Sequence, residues 1–242
     1  MNISDYSSVR CTCETEECDS GENCCPVIKK SKFFYTKHRR LRSRFNELSN
    51  EYLIVECYGC QCRDDCPTKI VQNGRHYKVA IVRTETRGWD IFALENMPSN
   101  VFVVEYIGEV LTITEGDSRC DSMYQFELSG YSEIKYLIDA KYYGNEAAFI
   151  KHSCSPNLVA VRVFLKDVAR TFIHSFIYLL MTRINLKLFR WKMETRNDIN
   201  VREGTMECSC GASKCMRYWP QLVVDNCGSD EDNKENSFVK SK

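Results

Sequence analysis

The sequence has no excess charge of either sign, no long apolar run and no repeat. Lys+Arg and Asp+Glu each number 33, so the formal net charge is zero. That balance excludes a global electrostatic attraction to nucleic acid. The most apolar stretch, FIHSFIYLLM at 172–181, is ten residues long, whereas a bilayer crossing takes roughly 20. No basic-then-apolar leader precedes MNISDYSSVRC. The expectation is a soluble, intracellular protein with no membrane partner. Neither internal self-similarity nor a run of helical heptads is present, which excludes solenoids and coiled coils. An apolar share of 43% and a charged share of 27% are those of a globular chain. At 242 residues the chain is long enough for one good-sized core and a small appended module.

Cysteine is what the sequence has in abundance. There are fifteen, and they cluster. Without a secretory leader a disulfide framework is disfavoured, and clustered thiols point to metal. The first cluster holds Cys11, Cys13, Cys18, Cys24, Cys25, Cys57, Cys60, Cys62 and Cys66. Nine thiolates fill three tetrahedral zinc sites if three of them bridge and six are terminal. Two ordinary four-cysteine sites with one spare thiol satisfy the same spacing. Either arrangement is structural, because an all-cysteine site leaves no open coordination position for chemistry. A second cluster, CSCGASKC at 208–215, contributes Cys208, Cys210 and Cys215. It is one ligand short of a closed tetrahedron.

Between the clusters the chain reads as short β segments: HYKVAIVRT, DIFALE, VFVVEYIGEVLTI and MYQFELS, built from β-branched and aromatic residues with turns between them. The fold class is mostly β. A polar tail, NCGSDEDNKENSFVKSK, closes the chain and reads as disordered. The insert KKSKFFYTKHRRLRSR (29–44) carries eight Lys/Arg in sixteen residues, with aromatic residues at 33–35. It is either a solvated loop, a nuclear-import patch or a contact for DNA phosphates, which basic side chains bind without reading sequence.

The motifs in their order carry a resemblance. CTC…C…CC, then CYGCQCRDDCP, RGWDIFALE, VVEYIGEVLT, YQFEL, YLIDAKYYGN, FIKHSCSPNL and CSCGASKC are similar to the SET-domain histone-lysine methyltransferases of the heterochromatin class, which modify lysine 9 of the histone H3 tail. The resemblance covers roughly 11–165 and 204–218. It implies a SET-domain β fold with a pseudoknot, flanked by zinc modules. The organisation that follows is an N-terminal segment (1–10), a pre-SET zinc cluster with the basic insert (11–68), a SET domain (69–203), a post-SET zinc module (204–220) and a tail (221–242). The implied activity is methyl transfer from S-adenosylmethionine to a lysine of the H3 tail, in nuclear chromatin. Three zincs in the pre-SET cluster and one in the post-SET module are implied with it, as are nucleosomal partners. No chromatin-reading module precedes Cys11, so targeting would need a partner or a further N-terminal region.

The resemblance also assigns residues. Gly88, Trp89 and Asp90 match the turn facing the cofactor's methionine part, where a glycine allows close approach. Tyr124 matches a cofactor-contacting tyrosine and Tyr136 one lining the lysine channel. His152 matches the histidine beside the adenine, with Lys151 before it, and Cys154 matches the fourth ligand of the post-SET zinc. Four positions depart from the family pattern: Asp90 stands for a glycine, Ala148 for an arginine or histidine, Lys151 for an asparagine, and Trp191 for the catalytic tyrosine, with Arg190 for the acid before it. Trp191 falls in IYLLMTRINLKLFRWKMET, where the similarity breaks off over 177–191 and then resumes. That pattern predicts an aberrant segment derived from translated intron or from a mispredicted gene. An indole offers an N–H donor and no acceptor, so the second reading is a catalytically inactive SET-fold chromatin-binding protein.

Overall fold

β-branched and aromatic residues alternate with turns through the middle of the chain, and each such run becomes a strand. The computed structural model describes residues 35–42, 54–58, 66–85, 87–119, 121–128, 136–165, 168–175, 184–185, 187–188 and 201–224. Strands in order are β1 (Ile54–Val55), β2 (Val79–Thr84), β3 (Gly88–Ala93), β4 (Phe102–Glu105), β5 (Glu109–Thr112), β6 (Gln125–Leu128), β7 (Tyr136–Asp139), β8 (Lys151–His152), β9 (Leu158–Leu165), β10 (Val168–Ser175), β11 (Ile184–Asn185), β12 (Lys187–Leu188), β13 (Val201–Glu207) and β14 (Tyr218–Val224). One short helix, α1 (Ile113–Asp117), and two 3-10 turns, Val71–Asn73 and Glu146–Phe149, complete the described elements. The mostly β expectation holds.

The largest sheet runs β4-β10-β9-β12-β8, with β1 parallel to β9 on the edge that β12 also uses. Three smaller sheets have the orders β11-β3-β2, β5-β7-β6 and β13-β14. No helix among the described residues is long and apolar enough to cross a membrane.

VFVVEYIGEVLTI was expected as one strand, and it is two, in different sheets. Tyr106 turns inward to 1% exposure, and at Gly108 a Cβ would meet the carbonyl oxygen of Asp139, so the backbones can close only over a glycine. The run also ends earlier than its apolar pattern suggests. Thr112 and Glu115 form a reciprocal capping box that starts α1.

Two apolar cores result. One gathers Ile91, Ala93, Val103, Tyr106, Ile138, Ala147, Ile150 and Leu158 between β3, β4, β7 and the Glu146–Phe149 turn. The other places Tyr35, Leu41, Ile54, Ile70 and Val71 from the N-terminal region against Phe102, Val161 and Val163. Glu56, 1% exposed, ties that region to the sheet. Its carboxylate accepts the Ile70 N–H at 3.0 Å, the Val71 N–H at 2.9 Å and the Gln72 side-chain amide at 3.0 Å. Burial holds this carboxyl above the ordinary carboxylate range, against the pull of those donors.

Candidate active site and metal centre

A tetrahedral zinc with sulfurs roughly 2.3 Å away sets neighbouring sulfurs about 3.8 Å apart. Cys154 Sγ lies 3.8 Å from Cys208 Sγ and 3.8 Å from Cys215 Sγ. With Cys210 the four sulfurs all lie within 4.8 Å of one another. Residues separated by 54 and 61 positions thus meet at the spacing the metal requires. Backbone N–H groups of Ala212, Met216 and Arg217 approach Cys210, Cys154 and Cys215 at 3.5, 3.5 and 3.3 Å, the donors that thiolates want. Burial and the neighbouring thiols push Cys208 up to about 12. Burial also opposes ionisation of Cys210, yet N–H donors and thiol neighbours bring it down to about 6. Sulfurs this crowded titrate as a set, and a dication is what ionises all four together. The four residues fit zinc.

The N-terminal cluster is described at two of its nine cysteines. Cys57 and Cys66 are both fully buried. Thr68 donates its hydroxyl to Cys57 Sγ at 2.8 Å and lies 3.1 Å from Cys66 Sγ. Cys11, Cys13, Cys18, Cys24, Cys25, Cys60 and Cys62 lie outside the described residues.

The candidate cofactor wall is built from β3, β8 and the turn before β8. A tight turn joins β2 to β3, with Thr84 Oγ1 donating to Gly88 O at 2.8 Å and accepting from the Arg87 N–H at 3.2 Å. Gly88 has φ +70°, and nothing stands within 4 Å of where a Cβ would be. The backbone there is open to a ligand, which fits a cofactor lying against it. Trp89 is 52% exposed beside it. Asp90, by contrast, is fully buried and paired with Arg87 at 3.6 Å, so an approaching ligand meets its backbone and not its carboxylate.

Asn145 sets the turn leading into β8. Its side-chain oxygen accepts the Ala147 N–H at 3.2 Å and its amide donates to Glu105 O at 2.8 Å. Sequence reading missed this residue, although an Asn before a short turn is a local cap signal. His152 follows in β8, with Nε2 3.5 Å from Cys154 Sγ, so adenine-site and metal-site candidates are neighbours. Tyr124 packs against the first core, and its carbonyl accepts the Tyr106 hydroxyl at 2.8 Å. Tyr136, 39% exposed, begins β7 opposite Thr112 and Leu128. Arg119, also missed, clamps that sheet by pairing with Glu109 at 3.0 Å and buried Asp139 at 2.8 Å.

The segment that departs in sequence keeps places in the sheets. β11 pairs with β3, Ile184 opposite Ala93 and Asn185 opposite Phe92. β12 slots between β8 and β9, with Leu188 opposite His152 and Leu158. Trp191 comes three residues after Leu188 in sequence; it and Arg190 lie outside the described residues.

Comparison with known proteins agrees with this geometry. Residues 88–184 match the SET domain family. The chain is 32% identical over 234 residues to the histone-lysine N-methyltransferase EHMT1 of Mus musculus, covering 94% of this chain and 17% of that protein. It is 33% identical over 228 residues to SUV39H2 of Xenopus tropicalis, covering 85% of this chain and 54% of that one. The chain therefore spans only part of the length of the curated relatives it matches. Its fold is similar to that of KRYPTONITE solved with mCHH DNA, H3(1-15) peptide and SAH, with a TM-score of 0.69 and 25% identity over 88% of this chain and 43% of that one. It is also similar to the Neurospora SET domain protein DIM-5, with a TM-score of 0.68 and 23% identity over 79% of this chain and 84% of that one.

Proposed function

We propose, for a chain that carries a SET domain homologous to the SUV39H and EHMT histone-lysine methyltransferases, that it is an S-adenosylmethionine-dependent protein-lysine methyltransferase. Its substrate is the histone H3 tail, at lysine 9, in nuclear chromatin. The observation that carries this reading is the convergence of Cys154 with Cys208, Cys210 and Cys215 directly beside His152 and β12. A metal held there fixes the C-terminal module against the candidate cofactor wall. The KRYPTONITE structure, with its H3(1-15) peptide and SAH, supports the same pairing of ligands here.

Gly88, Trp89, Tyr124, Lys151 and His152 would hold the cofactor, with Asp90 contributing through its backbone. Bound there, S-adenosylmethionine supplies an electrophilic methyl group on a cationic sulfur. The substrate lysine must be neutral to act as a nucleophile, although a free lysine has a pKa of about 10.4. An apolar channel disfavours its ammonium form, and the Tyr136 hydroxyl can orient the amine without adding a formal charge. Zinc would be held by Cys154, Cys208, Cys210 and Cys215, and further zinc by the nine N-terminal cysteines, all in structural roles. The basic insert would face nucleosomal DNA.

Radiolabelled methyl transfer to an H3 tail peptide tests the reading, with Trp191→Tyr alongside. Label on the lysine supports an enzyme. A second reading, an inactive SET-fold chromatin protein, is favoured by Lys151 and Trp191 at positions where the family carries an asparagine and a tyrosine. It predicts cofactor binding with no label from the wild-type chain and recovered transfer in Trp191→Tyr.

A further inference from the structure

The basic insert is built, at its tip, as a closed turn seated in the core. Tyr35 and Leu41 form an antiparallel bridge and are 2% and 1% exposed in the second apolar core. Inside the bridge, Thr36 N–H donates to Arg40 O at 2.8 Å and Arg39 N–H to Thr36 O at 2.9 Å. Arg39 adopts φ 58°, an uncommon conformation for a non-glycine residue that this framework holds in place. Outside the bridge, Leu41 N–H donates to Asn100 O at 2.8 Å. Arg39 reaches Lys69 O at 3.4 Å, and Arg42 Nε donates to Tyr35 O at 2.9 Å.

The sequence of this turn, YTKHRRLR, has four Lys/Arg and no acid. Lys37, His38 and Arg42 are exposed and Arg40 is partly so. None of the four Lys/Arg takes part in an ion pair among the described residues. Arg39 spends donors on the protein itself and positions the turn. Among the described residues, Lys37, Arg40 and Arg42 keep side-chain N–H donors unspent.

We propose that the Tyr35–Arg42 turn is a preformed phosphate-binding surface for duplex DNA, with Lys37, Arg40 and Arg42 as its contacts. This deepens the chromatin reading and rests on it only for the biological source of the DNA. Fixed ends mean that little ordering entropy is lost on binding, and three cations at fixed spacing, with no acid in the turn itself, suit a row of phosphates. An import receptor that reads a basic segment as an extended peptide would have to unseat Tyr35 and Leu41 from the core. A duplex requires no such change. The contacts touch phosphate, so binding is independent of sequence and sensitive to salt.

The test is fluorescence anisotropy of the zinc-loaded full chain with two unrelated short DNA duplexes across a salt series. The Lys37→Gln, Arg40→Gln, Arg42→Gln triple variant should bind both duplexes at least about tenfold more weakly, and its log K against log salt slope should fall by about one per cation removed. Arg40→Lys should keep the wild-type slope. Methyl transfer to the free H3 peptide, measured on the same preparations, should be unchanged by the triple variant. Failure of transfer in the wild type would overturn the enzyme reading alone. Wild-type affinity and slope in the triple variant would overturn the DNA surface, as would loss of import-receptor binding with DNA binding intact.

Discussion

The two cysteine sites solve different problems. At the C-terminal site, sulfurs from β8's exit and from the 208–215 loop meet in a partly exposed setting. A metal bound by sulfurs from both segments would tie them together there. At the N-terminal site, Cys57 and Cys66 are fully buried and share the Thr68 hydroxyl, and the chain beside them continues into the second apolar core, which it shares with Phe102, Val161 and Val163 of the sheet. In the proposed reading the first site clamps the C-terminal module beside the candidate cofactor wall, and the second extends a core. Metal loss should therefore abolish ligand binding at the first and erode stability at the second.

The largest effect should come from Cys154→Ser. It removes the ligand that joins the two segments, and we expect the loss of about one zinc per chain by elemental analysis and the loss of detectable cofactor binding by calorimetry. Equal zinc content would break the contrast. Leu158→Ala, at a position 2% exposed in the first core, should cost about 2–5 kcal/mol in urea unfolding without changing zinc content. Thr68→Val keeps the side chain's shape and deletes its hydroxyl. Zinc release from the N-terminal cluster to a chelating dye should accelerate on the order of tenfold, with the C-terminal site unaffected. Thr112→Ala, which removes the cap of α1, should cost about 1 kcal/mol and touch neither metal site.

Glu56 gives the smallest effect and a defined sign. Its carboxyl is held above the ordinary carboxylate value, chiefly by burial, so its contribution to stability is fully present below that value and falls as pH rises through the raised one. The stability of the wild type relative to Glu56→Gln should therefore decline from about pH 4 towards neutrality. A difference that grows over that range would contradict this assignment.

Much of the site was legible in the sequence, and for identifiable reasons. CSCGASKC is one thiolate short of a tetrahedron, and it is the resemblance of HSC to the family pattern that supplies Cys154 as the fourth ligand. Gly88 could be read because RGWD resembles the family's cofactor turn, where a glycine allows close approach. The strand composition of β2, β3 and β6 was plain. What stayed hidden depended on tertiary partners. No local pattern announces that Gly108 meets Asp139 and splits one apolar run into two strands, although the T-x-x-E spacing at Thr112 was there to be read. Tyr35 and Leu41 sit among lysines and arginines, and only the sheet behind them reveals that the basic insert has an anchored tip. The weak similarity over 177–191 likewise concealed backbone pairings that β11 and β12 keep, because a sheet register constrains main chain more than side chain.

The central claim, that a metal at Cys154, Cys208, Cys210 and Cys215 clamps the cofactor pocket, is tested most directly by titrating S-adenosylmethionine into zinc-loaded and chelator-stripped protein by calorimetry. Saturable one-to-one binding that disappears on stripping and returns with added zinc is the expected result. Equal affinity in both preparations would contradict it.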